Sequence, residues 1–277
     1  MRYKYNKLKS MWPQAAHFVS SLYDQNKPIF RLKEVQKILH LNEFLSSNFV
    51  QKLIEIGVVS RLKPGLFILV PFELGKEREY AGNQLVVARE IVGGKGYYLS
   101  YGTAMEIHGM VTQPQLVVYV TTLKPRRPIN VLGTEFRFIH SQKKFFFGLS
   151  DHWVTKQEKV RVSNLERTVI DGLKEPKYCG GLTEVAKGLW MRRHDIKVDQ
   201  LIKYAVKLNK GAIIRRLGYL LELYNIASSD DLDILRQHLT ETYVRLDPLL
   251  PTEGKFLRKW RLQLNVSNEE LLSVVRT

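Results

Sequence analysis

The chain has 277 residues, 44% hydrophobic and 25% charged, which provides apolar material for two cores and argues against wholesale disorder. The 43 Lys and Arg oppose 27 Asp and Glu, and the resulting formal charge of +16 suits polyanionic partners, nucleic acid first among them. One cysteine, Cys179, excludes an internal disulfide framework and a cysteine-based zinc site; with no apolar run following MRYKYNKLKS and no stretch of roughly 18 apolar residues, the expectation is a cytoplasmic protein with no membrane association.

Periodicity predicts three short helices and a hairpin between about residue 11 and about residue 72. The first helix runs from near Pro13 to Asp24, with Ala16, Phe18, Val19 and Leu22 on one face. In FRLKEVQKIL, Leu32, Val35, Ile38 and Leu39 recur at helical spacing while Lys33, Glu34, Gln36 and Lys37 point away. A turn at His40-Leu41-Asn42 separates this helix from EFLSSNFVQKLIEIG, whose inward stripe is read as Leu45, Phe49, Leu53 and Ile56 and whose end is set by Gly57. Two helices so closely joined pack at a steep angle, as in a helix-turn-helix. VVSRLKPGLFILV then reads as two strands broken by Pro64-Gly65, a type II turn pair, and this hairpin is the expected wing.

Residues 1–76 are therefore expected to form a winged helix-turn-helix domain and 77–277 a larger mixed α/β domain, so the fold class is α+β. Within the second domain, 77–96 reads as a linker helix, 97–163 as a sheet-rich part and 164–277 as a helical part. Strands are expected in YYLSY, QLVVYVTT, EFRFIH and KVRVS, a short helix in GTAMEIHG, and helices at about 164–175, 182–193, 197–208, 211–225 and 229–240.

Charge position carries the functional reading. Residues 1–72 hold eleven basic and four acidic side chains, a net +7. Ser46, Ser47, Asn48, Gln51 and Lys52 are the candidate base readers on the third helix, because Asn and Gln pair bidentately with adenine, Ser reads either base type and Lys reaches guanine or phosphate. Lys33 and Lys37 on the second helix, and Arg61 and Lys63 at the wing, sit where phosphate contacts position such a module. Lys4, Lys7 and Lys9 near the start, and Lys124, Arg126 and Arg127 in a proline-broken loop, are further candidate phosphate contacts. Arg192-Arg193 and Arg215-Arg216 are expected on helix surfaces, with salt-bridged faces the simpler reading.

No motif here supports catalysis, a cofactor or a metal. VGGKGY lacks the first glycine and the metal-binding hydroxyl of a phosphate loop. Ser150-Asp151-His152 contains triad residue types, but sequence neighbours rarely converge as nucleophile, base and orienter, so a surface turn is expected. The histidines, His17, His40, His108, His140, His194 and His238 among them, show no metal-ligand spacing, and His108 is read as structural. An alternative remains, a nucleic-acid-processing enzyme that uses the winged helix for substrate binding, as does a protein-interaction adaptor.

Taken in order, RLKPGLFILVP, YYLSYGTAMEIHGMVTQPQLVVYVTT, VSNLERTVIDGL with Gly180-Gly181, RRLGYLLELYNI and LDPLLPTEGKFLRKWRLQLN resemble the AbiEi antitoxins of abortive-infection toxin-antitoxin systems. The resemblance covers most of the chain. It implies a DNA-binding autorepressor that binds inverted repeats in its own promoter and a C-terminal antitoxin domain that counters a nucleotidyltransferase toxin. Such systems are of type IV, with no stable toxin complex required. By position it carries DNA reading onto Ser46, Ser47, Asn48, Gln51 and Lys52, with Arg61 and Lys63 at the wing. It assigns no antitoxin residue, and Glu166 and Arg167 are read as an internal ion pair at a helix start.

Overall fold

The computed structural model describes residues 11–273 of an α+β protein. Lys4, Lys7 and Lys9 lie outside the described residues. The chain divides into two units, Met1–Lys95 with Pro128–Phe136 and Trp153–Lys159, and Gly96–Arg127 with Arg137–His152 and Val160–Thr277.

The first unit runs α1 (Pro13–Asp24), β1 (Ile29–Phe30), α2 (Leu32–Leu39), α3 (Glu43–Glu55), β2 (Val59–Lys63) and β3 (Leu66–Leu69). Pro13 opens α1, where its missing N–H leaves no bond unmade, and Ala15, Phe18, Val19 and Leu22 are buried. Ala15 takes the place expected for Ala16. The α2–α3 turn is made by His40 in the left-handed region (φ +53°) and by Asn42, whose side chain accepts Leu45 N–H at 2.9 Å to cap α3. Phe18 sits at the centre of the core, edge-on to Phe30 and to Phe49.

The hairpin β2–β3 turns at Pro64-Gly65, with Gly65 at φ +74° as the second position of a Pro-Gly turn demands. β1 pairs antiparallel with β3, Ile29 opposite Ile68, giving the sheet order β1-β3-β2. A helix, α4 (Gln84–Val92), follows; Asn83 caps its start. It is shorter than the 77–96 connector read from the sequence and belongs to this first unit. Its last carbonyls are satisfied by basic side chains: Arg31 donates to Glu90 O at 2.6 Å and Lys63 to Ile91 O at 3.2 Å.

In the second unit β4 (Tyr97–Leu99) and α5 (Tyr101–Ile107) are followed by β5 (Val117–Thr122). Then β6 (Ile129–Val131), of the first unit, pairs antiparallel with the opening residues of β7 (Thr134–His140). With β8 (Leu149–Trp153) and β9 (Lys159–Ser163), the strand order runs β7-β5-β4-β9-β8, β4 being antiparallel to β5 and parallel to β9. Helices α6 (Leu165–Lys174), α7 (Leu182–Met191), α8 (Val198–Leu208), α9 (Gly211–Leu223) and α10 (Ser229–Arg236) come next, close to their expected spans. The part read as helical, 164–277, also holds a sheet, β10 (Val244–Arg245), β11 (Lys255–Leu257) and β12 (Leu262–Leu264) in the order β10-β12-β11, and α11 (Asn268–Ser273).

Ser150-Asp151-His152 is part of strand β8 and not a turn. Arg167 pairs with Asp171, one turn along α6, at 3.0 Å, both side chains about 1% exposed, and not with Glu166, which accepts Lys197 N–H instead. Arg215 and Arg216 are buried rather than surface cations. Arg216 donates to the carbonyls of Leu173, Leu246 and Arg245, and Arg215 to Thr240. Charge-assisted bonds to orphan carbonyls explain two adjacent arginines inside α9 better than any ligand does. Arg192 keeps the expected ion pair, with Asp195, and Arg193 lies over Trp190 at 3.8 Å. His108 is half-buried with Nε2 2.7 Å from Ser163 O, and burial pushes its imidazole below the ordinary value.

Candidate nucleic-acid interface

The site is built on α3. An α-helix turns about 100° per residue, so residues three and four apart share a face. Ser46, Phe49, Val50 and Leu53 are buried and define the inward stripe. Phe44, Ser47, Asn48, Gln51 and Glu55 fall on the opposite side, and all five are exposed. Leu45 and Lys52 lie on one flank, where Leu45 borders a shallow hollow shared with Trp12, Leu41 and Phe49.

This register corrects two assignments. Ser46 is fully buried, its hydroxyl has no hydrogen-bond partner, and it faces the core of the unit, so it is removed from the base-reading set. Leu45, placed inward from the sequence, is 47% exposed. The apolar-only stripe misassigned both because a serine occupies a core position; the i, i+3, i+4, i+7 spacing of 46, 49, 50 and 53 was the signal available. Phe44, 72% exposed in the first turn of α3, was not singled out by sequence reasoning at all. Its mark in the sequence is the spacing that puts it three and four residues before Ser47 and Asn48 on one helical face.

The remaining candidates separate by their partners. Ser47, Asn48 and Lys52 are exposed, as are Lys33 and Lys37 on α2. Gln51 is engaged at both ends of its amide: Oε1 accepts Arg61 Nη2 at 3.3 Å and Nε2 reaches Glu55 at 3.5 Å. Arg61 is exposed on β2, and its guanidinium carbon stands 5.8 Å from the Phe67 ring centroid. Lys63 is half-buried and caps α4 through Ile91 O, so the hairpin cation presented to solvent is Arg61. Lys124, Arg126 and Arg127 are all exposed in the second unit.

Chemically, the face of α3 offers an amide (Asn48), a hydroxyl (Ser47), an aromatic ring (Phe44) and an ammonium (Lys52), with guanidinium and ammonium groups on the neighbouring strand and helix. That combination supplies hydrogen bonds to base edges, apolar contact and phosphate neutralisation. Among the described residues no group of three or more His, Cys, Asp or Glu is placed to hold a metal ion, and no helix is long and apolar enough to cross a membrane.

No protein-family model matches the sequence, and no curated protein sequence matches it. The fold is similar to that in the crystal structure of the RV2827C protein from Mycobacterium tuberculosis, with a TM-score of 0.71 and 14% identity over 97% of this chain and 96% of that one. At this identity the likeness speaks for the fold alone.

Proposed function

We propose that the first unit contains a winged helix-turn-helix and that the protein is a sequence-specific, double-stranded-DNA-binding transcriptional repressor. The observation that carries this reading is the element order α1-β1-α2-α3-β2-β3 with sheet order β1-β3-β2, combined with a three-residue turn before α3 and an outward α3 face bearing Phe44, Ser47, Asn48 and Gln51. In this arrangement α3 is the recognition helix, α2 crosses the backbone with Lys33 and Lys37, and the β2–β3 hairpin is the wing with Arg61 as its cation.

The resemblance to AbiEi antitoxins extends the proposal: the protein binds inverted repeats in its own promoter, and its second unit counters a nucleotidyltransferase toxin without a stable complex. The motif residues quoted for that resemblance are largely scaffold. Asp247 accepts Leu182 N–H at the start of α7, Asn265 donates to Asp247 O and Pro251 O, and Trp260 is buried against Gly218. The protein is thus proposed to act by binding and not by turnover.

Fluorescence anisotropy with its own promoter fragment and a scrambled duplex of equal length, at moderate salt, tests the DNA-binding reading. Preference for the promoter by a factor of about 10³ or more is expected. Equal affinity for both duplexes would refute it. Co-expression with the product of the neighbouring reading frame tests the antitoxin role: relief of growth arrest supports it, and undiminished arrest opposes it.

A further inference from the structure

We infer that the base-reading surface of α3 centres on Phe44 and Asn48 and selects an A·T-containing half-site, with Phe44 packing on the C5-methyl group of thymine while Asn48 pairs with an adenine. The inference rests on the DNA-binding reading above and specifies its substrate.

Three observations lead to it. First, Phe44 is 72% exposed in the opening turn of α3, so most of its ring is left open by the described residues. The ring lies on the same face as Ser47 and Asn48, and the N-terminal turns of a recognition helix are the ones that meet base edges. An apolar ring offered there has one apolar partner in the major groove, the thymine methyl, since the other base edges present donors and acceptors.

Second, the competing amide is occupied. Gln51 gives its oxygen to Arg61 and its nitrogen to Glu55, which makes it a positioning residue that holds the hairpin cation against α3. Asn48 is exposed and its amide has no hydrogen-bond partner among the described residues, and an amide of this kind pairs with adenine N6 and N7.

Third, the spacing fits. Phe44 and Asn48 are four residues apart, about 6 Å along a helix axis, against a rise of about 3.4 Å per base pair. The methyl and the adenine therefore lie within about two base steps of each other.

The test uses full-length protein and the promoter fragment amplified with either dTTP or dUTP, which differ only by the C5-methyl groups. The wild-type protein is expected to bind the uracil fragment more weakly, by about fourfold for each contacted methyl, the factor matching ~0.8 kcal/mol for one buried methylene-sized group. Phe44→Ala is expected to bind both fragments equally, Phe44→Leu to retain part of the difference, and Asn48→Ala to retain it in full while tolerating A·T to G·C exchange in the half-site. Circular dichroism verifies that each variant is folded. If wild type and Phe44→Ala show the same thymine-to-uracil ratio while still preferring the promoter over a scrambled duplex, this inference fails and the DNA-binding reading stands. If wild type shows no promoter preference, the DNA-binding reading itself fails.

Discussion

Arg61 on β2 donates to the side-chain oxygen of Gln51 on α3 at 3.3 Å, so the hairpin and the helix carry one shared polar contact on the surface of the first unit. The contact fixes where the hairpin's positive charge stands relative to Ser47 and Asn48. Arg61 also approaches the Phe67 ring, which limits the freedom of its long side chain.

The first prediction concerns that pair. Arg61→Ala should weaken binding to all DNA sequences alike and lower the slope of log affinity against log salt by about 1. Gln51→Ala should have a smaller, equally uniform effect. Asn48→Ala should instead cost about 1 to 3 kcal/mol at particular base pairs and little elsewhere. Anisotropy titrations on a panel of single-base-pair promoter variants distinguish the two patterns, and a uniform loss for Asn48→Ala would oppose its assignment as a reader.

Ser46 provides the second. Its hydroxyl is buried without a hydrogen-bond partner inside a helix, so Ser46→Ala removes an unsatisfied group and improves helix propensity. Urea unfolding should show stability unchanged or raised by about 0.5 to 1 kcal/mol, with promoter affinity intact. A selective loss of DNA binding in this variant would return Ser46 to the reading face.

The third prediction lies in the second unit. Arg167 and Asp171 are each about 1% exposed, the Tyr98 hydroxyl lies 3.4 Å from the Asp171 carboxylate, and the guanidinium lies 4.4 Å from the Phe147 ring centroid. Asp171→Ala strands a buried cation and should destabilise the fold by about 3 to 5 kcal/mol. Replacing both partners together, Arg167→Met with Asp171→Leu, should cost less than the single change, because no charge is left unpaired. Thermal unfolding of the single and double variants measures the difference; equal losses would contradict this account of the pair.

A fourth follows from Glu222 on α9. Burial works against ionisation of its carboxyl, but hydrogen bonds from Lys259 and from Trp260 Nε1, the latter at 2.6 Å, together with the charges of Lys259 and Arg236, outweigh it and hold the group below the usual glutamate range. A carboxylate lowered in this way adds stability that is complete above the unfolded-state value of about 4.3 and fades as pH falls through the folded-state value. Glu222→Gln should therefore lower stability at neutral pH and flatten part of the acid decline in unfolding midpoint. An acid limb as steep as that of wild type would show that the carboxyl is not coupled to folding.

Much of the architecture was readable because local rules and tertiary packing agreed. The three-residue break between α2 and α3, the Pro64-Gly65 turn and the five helices between 164 and 240 follow from periodicity and from residues with strong conformational preferences. The strands β1, β10, β11 and β12 were missed because two- or three-residue strands carry no alternation; their pairing is decided by distant partners such as Ile68 for Ile29 and Gln263 for Phe256. In the candidate site, Lys33, Lys37, Ser47, Asn48, Lys52 and Arg61 are exposed as their polarity suggested, whereas Ser46 and Lys63 are not, since one fills a core position and the other caps a helix 28 residues away. Polarity reports what a side chain tolerates, and only the fold decides which of its options it takes.

Dimethyl sulfate probing of guanine N7 on the promoter fragment tests the central claim most directly, because N7 lies in the major groove where α3 is proposed to dock. Wild-type protein should protect a discrete set of guanines, and a folded variant carrying Phe44→Ala, Ser47→Ala and Asn48→Ala should lose that protection. Protection that persists unchanged in the triple variant, or no protection at concentrations that saturate binding, would contradict the placement of α3 in the groove.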